Sequence, residues 1–253
     1  MSAEAPAWPE GVDRVVLEQI DSTNAEAARR APGLKRPVWI MAREQTAARG
    51  RRGRAWVNPE GNFAATLLMR PDLEAGLAAQ LSFVASLSLL RALTPFVRPQ
   101  DRIALKWPND VLLNGGKLAG ILLESSGGGR RIDWLAIGVG VNLLLAPGAD
   151  EVEQRALRPV SLSAETGQVV TPEALLDRLA AEFATQYLLW EKEGFASYRA
   201  LWLRHAARLG ETLTARTGTD EVTGTFETVD KTGALILRTE AGPRAIPAAE
   251  IYF

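Results

Sequence analysis

Four arginines lie within six residues of one short stretch, QTAARGRRGRAWVN, at residues 45–58. Gly50 and Gly53 interrupt the arginines and leave the backbone free to bend. A guanidinium group keeps its charge at any physiological pH and offers paired donors in one plane, which suits phosphate and carboxylate oxygens. The stretch is therefore predicted to be a loop that binds an anion. A solvated basic loop and an Arg/Gly nucleic-acid patch are the alternatives that its composition leaves open.

The composition of the whole chain weighs against a general polyanion binder. The net charge over 253 residues is -1, so the arginine cluster is a local feature. With 47% apolar residues, the chain can bury the core of one large domain or of a large and a small one. The chain has no cysteine, which excludes disulfides, thiol nucleophiles and thiolate metal sites and fits a cytoplasmic protein.

A single histidine, His205, is present. A Ser-His-Asp triad or a His-rich zinc site would have to use this one residue. It lies in a helical pattern between Arg204 and Arg208, and we expect it to be a surface cation at a helix end.

Apolar runs on both sides of the arginine stretch are predicted to hold it in place. Residues 38–41 and 61–69 have the pattern of short strands, so the arginines lie on a connection fixed at both ends. A further strand, residues 14–20, leads into DSTNAEAARR. The spacing of Thr23 and Glu26 there is that of a capping box, which predicts a helix start where short polar side chains and backbone N–H groups converge.

The most apolar long segment, residues 77–97, is predicted to be a buried helix. Glutamine, serine and arginine interrupt it too often for a membrane span. The chain begins MSAEAPAWPEG, without a basic region or an apolar stretch, so no signal peptide is predicted.

Residues 102–125, RIALKWPNDVLLNGGKLAGILLES, are predicted to form two or three short strands. The break at Asn114-Gly115-Gly116 is typical of a turn between antiparallel strands. Lys106 and Lys117 stand at strand ends, where an ammonium could reach one oxygen of a phosphate or carboxylate. Each could also be a surface lysine whose charged end reaches the solvent.

The apolar run at residues 132–145 contains Gly138, Gly140 and Asn142. It is a weak dinucleotide signal, since neither a third glycine nor a helix follows, and a close approach of backbone to ligand explains the glycines better. A buried asparagine needs hydrogen-bond partners, which the edge of a purine could supply.

The last third of the chain changes character twice. Residues 146–170 look irregular, a helix is predicted to open at Thr171-Pro172, and after Gly194 a second helix is predicted to end near Gly210. Residues 211–253 alternate like strands between turns and predict a separate small β barrel.

Taken together, five motifs resemble the catalytic module of biotin-protein ligases: DSTN at 21–24, QxxxRGRRGRAW at 45–56, KWPND at 106–110, GKLAGILLE at 116–124 and IGVGVN at 137–142. The resemblance covers nearly the whole chain. It implies an α+β class II synthetase-like biotin/lipoate ligase fold, a mixed β-sheet flanked by helices, in residues 1–208, and a small SH3-like β-barrel in residues 209–253. About a dozen residues precede the first strand, so the chain resembles the family's type without an N-terminal helix-turn-helix.

The activity that this resemblance implies is the formation of biotinyl-5'-AMP from biotin and ATP, followed by transfer of biotin to a specific lysine. The implied acceptor is a biotin carboxyl carrier protein of acetyl-CoA carboxylase or of another biotin-dependent carboxylase. Mg2+ accompanies ATP, and no ligands are assigned to it. We expect a cytoplasmic protein without DNA or membrane as a partner, and a homodimer is left open.

The resemblance also implies roles for individual residues. The ureido and ring end of biotin is expected at Ser22, Thr23, Asn24 and Gln45. The biotin carboxylate is expected under Arg49, Gly50 and Arg51, with Lys106 bridging that carboxylate and the α-phosphate, so that Lys106 and Arg51 are the catalytic residues. The nucleotide is expected at Arg54, Trp56, Lys117 and Asn142. Ala48 departs from the family, which usually has glycine there, and a stiffer loop with altered closing rates is expected.

The implied chemistry needs cations and no enzyme nucleophile. Biotin's carboxylate attacks the α-phosphorus, and two unit charges ~4 Å apart repel by roughly 4 kcal/mol at an effective dielectric near 20. Arginines and Lys106 would offset that repulsion. The alternatives are a lipoate- or octanoate-protein ligase, which shares the fold, and a biotin or nucleic-acid binding protein without catalysis.

Overall fold

Seven strands form one mixed sheet. The structure, a computed structural model, describes residues 6–127, 130–148, 157–218 and 220–252. The strands are β1 (Asp13–Ile20), β2 (Val38–Gln45), β3 (Phe63–Met69), β4 (Ile103–Lys106), β5 (Asp110–Leu113), β6 (Gly116–Ser126) and β7 (Trp134–Val141). Their order is β1-β2-β3-β7-β6-β5-β4, in which β1 and β2 are parallel and all other neighbours antiparallel.

Within the described residues, five α-helices accompany the strands: α1 (Thr23–Arg30), α2 (Ala75–Leu93), α3 (Leu162–Thr166), α4 (Pro172–Glu193) and α5 (Phe195–Arg204). Helices α2 and α4 contact each other and cover one face of the sheet, while α1 lies against β2, β3 and β7. By length and composition α2 could cross a membrane, but 67% of its apolar window is buried inside the protein. The predicted buried helix is confirmed.

The alternation of side chains along β3 shows how the two faces differ. Ala65 and Leu67 point into the large core under α2 and α4, whereas Leu68 belongs to the small cluster under α1. Thr66 and Ala64 share the face of Leu68, because side chains two residues apart lie on the same side of a strand. That face, which α1 covers only in part, carries the cavity described below.

Five further strands form a second sheet at the end of the chain. They are β8 (Thr212–Arg216), β9 (Glu221–Val229), β10 (Leu235–Thr239), β11 (Gly242–Ile246) and β12 (Glu250–Tyr252). All neighbours in the order β11-β10-β9-β8-β12 are antiparallel. The predicted fold class, a mixed sheet flanked by helices and followed by a small β unit, is confirmed.

Two helix predictions are wrong in detail. The range expected to be irregular contains α3, and part of it, residues 149–156, lies outside the described residues. The last helix ends at Arg204 instead of near Gly210. It ends early because the backbone after it pairs with β4, where Leu105 N donates to His205 O over 2.7 Å.

The capping box at the start of α1 is also wrong. Ser22 is the N-cap residue and makes no side-chain capping bond. The carboxylate of Glu26 instead pairs with Arg29 and Arg30, both at 2.7 Å, one turn further along the helix. The helix start lies where it was expected, but polar side chains other than a capping pair hold it there.

His205 lies at a helix end, as predicted. It is the C-cap residue of α5 and is half-buried. Burial and the charges of Arg91 and Arg204 lower its pKa below the ordinary value of about 6.5. The lowered pKa favours the neutral form of His205, and the expected positive charge stays a prediction.

Candidate active site

A cavity of about 440 Å³ opens on the α1 face of the seven-stranded sheet. This volume lies in the range of small-molecule sites, about 300–1,000 Å³. All twelve residues predicted to bind biotin or nucleotide line it: Ser22, Thr23, Asn24, Gln45, Arg49, Gly50, Arg51, Arg54, Trp56, Lys106, Lys117 and Asn142. The structure thus brings all of the predicted residues together.

A row of directly paired residues crosses four strands on the cavity floor. Gly140 of β7 pairs with Gly120 of β6, Gly120 with Asp110 of β5, and Asp110 with Lys106 of β4. Direct cross-strand partners point to the same face of a sheet. The row therefore presents two glycines without side chains beside the half-buried Lys106 and the buried Asp110.

The glycines of IGVGVN make room for protein side chains. A Cβ atom at Gly138 would lie 2.2 Å from Asn24 Oδ1, and one at Gly140 would lie 2.8 Å from the indole ring of Trp56. Any larger residue would have to push these side chains away. Both glycines also line the cavity, so the sequence interpretation, a close approach of backbone to ligand, stays a prediction.

The predicted biotin end is a closed network of short polar side chains. Thr23 N and Thr23 Oγ1 both donate to Gln45 Oε1, at 2.8 and 3.2 Å. Thr66 Oγ1 donates to Asn24 Oδ1 over 2.6 Å, and Asn24 Nδ2 donates to Glu124 Oε2 over 2.7 Å. Because their mutual bonds fix the orientation of these side chains, this end of the cavity is preformed.

The arginine loop is a tight reversal of the chain. Gly50 N donates to Arg54 O over 2.7 Å, and Trp56 N donates to Ala48 O over 2.9 Å. Arg52 and Gly53 have positive φ angles of 58° and 74°. Glycine suits the second of these positions, whereas the non-glycine Arg52 in this region is uncommon.

Each arginine of the loop has a partner on another element. Arg51 Nη1 lies 3.4 Å from Asn109 Oδ1 and 3.3 Å from Ala249 O. Arg49 pairs with Glu124 at 3.4 Å. Burial lowers the pKa of Arg51 below its ordinary range against the attraction of Asp110.

Glu250 of β12 joins the C-terminal sheet to the loop. Its carboxylate pairs with Arg54 and, at 3.7 Å, with Arg52. Strand β12 therefore closes one side of the cavity, where Ala249, Glu250, Ile251 and Tyr252 line the wall.

Asp110 lies between two lysines. Its carboxylate is 2.8 Å from Lys117 Nζ and 3.6 Å from Lys106 Nζ. Burial alone would raise the pKa of Asp110, but the charges of Lys117 and Lys106 outweigh it and hold that pKa below the ordinary value. Burial lowers the pKa of Lys106. The group has one surplus positive charge, which suits an anionic substrate.

Polar atoms at the predicted nucleotide end are buried without partners. Asn142 Nδ2 donates to Val160 O over 3.1 Å. Within the described part of the chain, Asn142 Oδ1 and Trp56 Nε1 are buried and lack a hydrogen-bond partner. Lys117 Nζ lies 5.7 Å from the centre of the Trp56 ring. Buried polar atoms normally have hydrogen-bond partners. The acceptor Asn142 Oδ1 and the donor Trp56 Nε1 are therefore left for a bound molecule.

Several lining or supporting residues were not predicted. Asn109 and Asp110 belong to the quoted KWPND motif, so their motif was the available signal. Thr66 and Glu124 bond to Asn24 from neighbouring strands. In the sequence, only the alternation of side chains along those strands could have indicated that they face Asn24. Glu250 had no signal in the sequence, because it reaches the cavity from the far end of the chain.

Comparison with known families agrees with this geometry. The family model of the Biotin/lipoate A/B protein ligase family matches residues 16–142, and that of the Biotin protein ligase C terminal domain matches residues 209–253. The chain belongs to the biotin/lipoate A/B protein ligase family.

Individual relatives are biotin ligases. A biotin--[acetyl-CoA-carboxylase] ligase of Paracoccus denitrificans is 57% identical over 238 residues, which is 94% of this chain and 99% of the relative. The biotin protein ligase of Aquifex aeolicus, solved with biotin and ATP, has a TM-score of 0.78 at 26% identity and covers 94% of this chain and 97% of its own. The biotin protein ligase of Leishmania major, solved with biotinyl-5-AMP, has a TM-score of 0.64 at 25% identity and covers 93% of this chain and 99% of its own.

Proposed function

We propose that this protein is a biotin-protein ligase, which activates biotin with ATP to biotinyl-5'-AMP and transfers biotin to a lysine of a biotin carboxyl carrier protein. One observation supports this most strongly. A preformed polar pocket and a set of half-buried cations, Lys106 and Arg51 among them, line the same cavity. A small neutral ring can bind at one end, while the cations at the other end neutralise the carboxylate and phosphate charges.

The first half-reaction joins two anions. An oxygen of the biotin carboxylate forms a bond to the α-phosphorus of ATP, the bond from that phosphorus to the bridging oxygen breaks, and pyrophosphate leaves. Lys106 and Arg51 neutralise the charge that meets at this junction, and preorganised cations in a site shielded from water are effective in this role. Asp110 holds Lys106 on the floor, and this keeps the ammonium charged despite its burial.

The second half-reaction needs a protected intermediate. The adenylate is a mixed anhydride that water would hydrolyse, so the arginine loop must cover it until the acceptor arrives. The neutral amine of the acceptor's lysine then attacks the biotinyl carbonyl carbon and forms the amide bond. The bond from that carbon to the phosphate oxygen breaks, AMP leaves with the electron pair, and the nitrogen releases a proton to water. The substrate carboxylate supplies the nucleophilic oxygen of the first step, so the enzyme itself needs none.

At the biotin end, the hydrogen bonds already made determine what remains for the ligand. Gln45 uses its carbonyl oxygen for Thr23, which leaves its amide N–H groups as donors for the ureido oxygen. The Ser22 hydroxyl can both donate and accept. Thr23 and Asn24 complete the wall around the ring.

At the nucleotide end, the unpartnered Asn142 Oδ1 can accept from the amine of adenine. Trp56 offers an aromatic face, and Arg54 and Lys117 offer charge to the phosphates. The described residues contain no group of three His, Cys, Asp or Glu side chains that could hold a metal. Mg2+ would therefore be bound by ATP phosphates and water, since magnesium keeps several waters and Asp110 is already engaged by two lysines.

The two proposed domains follow one another along the chain. Residues 1–208 form the catalytic unit and residues 209–253 a smaller unit that reaches the cavity through Glu250. The proposed partner is a carrier protein of a biotin-dependent carboxylase in the cytoplasm, without DNA or membrane, and the net charge of -1 agrees with the absence of a polyanionic partner.

Native mass spectrometry of the protein incubated with ATP, Mg2+ and biotin tests the proposal. We expect a complex heavier by one biotinyl-AMP. A parallel incubation with lipoate or octanoate should give no adenylate. A lipoyl or octanoyl adenylate in place of the biotinyl one would overturn the assignment in favour of the sister activity, and no adenylate with any of the three acids would favour a binding protein.

A further inference from the structure

We propose that residues near and within the C-terminal sheet position Lys106, the lysine that carries the proposed function, by holding the residues on either side of it. The two contacts that do so, the backbone of residues 205–207 against Leu105 and the Gly233 carbonyl against Trp107, are called the lysine clamp. Asp230 and Trp107 are then positioning residues for adenylation.

The first contact pairs the outer edge of β4. Leu105 N donates to His205 O over 2.7 Å, and Ala207 N donates to Leu105 O over 2.8 Å. β4 is an edge strand of the seven-stranded sheet, so without this segment both backbone groups of Leu105 would lose their partners. The connection from α5 to the C-terminal sheet thus completes the strand that ends in Lys106.

The second contact lies immediately beyond the lysine. Trp107 is 3% exposed, and its Nε1 donates to Gly233 O over 2.9 Å. Gly233 lies in the turn between β9 and β10, 126 positions further along the chain. A buried indole N–H needs an acceptor, and the C-terminal sheet supplies it.

The turn that carries Gly233 is itself well fixed. Asp230 Oδ1 accepts from Thr232 N and Thr232 Oγ1, both at 2.7 Å, and from Ala234 N at 3.0 Å. Gly233 has a φ of 95°, and a Cβ there would lie 3.1 Å from the Phe83 ring of α2. Both the conformation and the close packing call for glycine. The carbonyl that receives Trp107 therefore has a defined position.

Lys106 is held on both sides by these contacts. Its ammonium must remain near Asp110 and also reach the carboxylate–phosphate junction. A displacement of about 1 Å at a reacting centre can cost about 100-fold in rate. Loosening the clamp should accordingly reduce adenylation while the biotin ring, held at the other end of the cavity, still binds.

Three single substitutions test this. Trp107→Phe keeps a ring and removes the N–H, and Asp230→Ala removes the acceptor that fixes the turn. Asp230→Asn keeps an acceptor oxygen and should restore most of the rate. In single-turnover pyrophosphate release we expect the first two variants to be slower by about fivefold, equivalent to about 1 kcal/mol, with the Kd for biotin within about twofold of wild type.

A matched control lies at the opposite turn of the same sheet. Thr239 Oγ1 donates to Gly242 O over 2.8 Å between β10 and β11. Thr239→Ala removes a similar side-chain bond to a turn and should lower the thermal midpoint without slowing adenylation. If it slows adenylation as much as Asp230→Ala does, general destabilisation explains both and the clamp is refuted.

Two further measurements make the test specific for Lys106. The double variant Trp107→Phe/Asp230→Ala should release pyrophosphate no more slowly than the slower single variant, because both substitutions break the same contact between Trp107 and Gly233. Additive losses of rate would contradict the clamp. Lys106 should also react faster with acetic anhydride in both single variants, as followed by mass spectrometry, and unchanged reactivity would contradict the clamp. Wild-type protein that makes no biotinyl-AMP would refute the proposed function instead, and the acetylation result would still decide on the clamp.

Discussion

The two ends of the cavity are built differently. At the proposed biotin end, residues 22–24 are each 5% exposed, and Thr23 and Asn24 bond to side chains of the neighbouring strands. Across the cavity, the side chains of Arg49, Arg52 and Arg54 are between 41% and 47% exposed. The end proposed for the neutral ring is packed and hydrogen-bonded, whereas these three arginine charges lie on a loop at the surface.

The partners of the loop explain why that difference is useful. Glu124 and Glu250 occupy the arginines with ion pairs of 3.4 and 3.7 Å that are partly exposed to solvent. Exposed ion pairs contribute about 0–1 kcal/mol, so a substrate carboxylate or phosphate can replace a glutamate at little cost. The loop can exchange partners while the biotin end keeps its shape.

Lys106→Ala should have the largest effect, because this cation is fixed on the sheet and the loop cannot replace it. Removing one preorganised charge-stabilising group typically costs about 10²–10³ in kcat. We expect adenylation, measured as pyrophosphate release, to fall by that factor while biotin binding stays measurable by calorimetry. A rate within a few-fold of wild type would show that the loop arginines suffice for adenylation and that a cation fixed on the sheet is not needed.

Gly138→Ala should break the preformed end alone. The new methyl group would lie 2.2 Å from Asn24 Oδ1, so Asn24 must move and its bond to Thr66 is lost. Overpacking of this kind costs about 1–3 kcal/mol, and we expect a lower thermal midpoint together with a KM for biotin raised about tenfold. The KM for ATP should change less. Gly76→Ala is the control, since nothing lies within 4 Å of a Cβ at that position of α2; equal KM values for biotin in both variants would contradict the preformed pocket.

Arg51→Gly should affect retention of the adenylate more than its formation. A charge-assisted hydrogen bond is worth ~1.5 to 3 kcal/mol, and 1.4 kcal/mol corresponds to about tenfold in an equilibrium constant. With Lys106 present the adenylate still forms, but it should dissociate about tenfold faster and label bystander lysines. Stopped-flow release and a streptavidin blot of added serum albumin measure this. An unchanged off-rate in a variant that still makes adenylate would assign closure to another arginine.

Much of the site could be predicted because five local motifs resemble those of a known family, and that resemblance implied the roles of the residues. The strands alternate, the arginine cluster has no role in a core, and KWPND and GKLAG place two lysines at strand ends. For the G-x-G glycines, the sequence shows that space is needed and not what fills it. In the structure Asn24 and Trp56 fill that space.

Contacts between distant parts of the chain could not be predicted. Glu250 contacts the arginine loop, and Gly233 contacts Trp107, each across more than one hundred residues of sequence. No periodicity or motif encodes such a pairing. For the same reason the early end of α5 was missed, since β4 determines it through backbone bonds to residues 205–207.

The smallest expected effect belongs to Glu124, which touches both ends of the cavity. One carboxylate oxygen accepts from Asn24 at 2.7 Å, and the other lies 3.4 Å from Arg49. In Glu124→Gln the amide carbonyl can still accept from Asn24, but the charge that holds Arg49 is gone.

We expect Glu124→Gln to leave the KM for biotin unchanged and to alter the rate of adenylate release by about two- to fivefold, as an exposed ion pair of up to about 1 kcal/mol implies. That difference should vanish at about 1 M salt, where such pairs are screened. Glu124→Ala removes both bonds and should in addition raise the KM for biotin, because Asn24 is no longer oriented. If Glu124→Gln raises the KM for biotin as much as Glu124→Ala does, the two ends are coupled through this carboxylate and do not behave as independent regions.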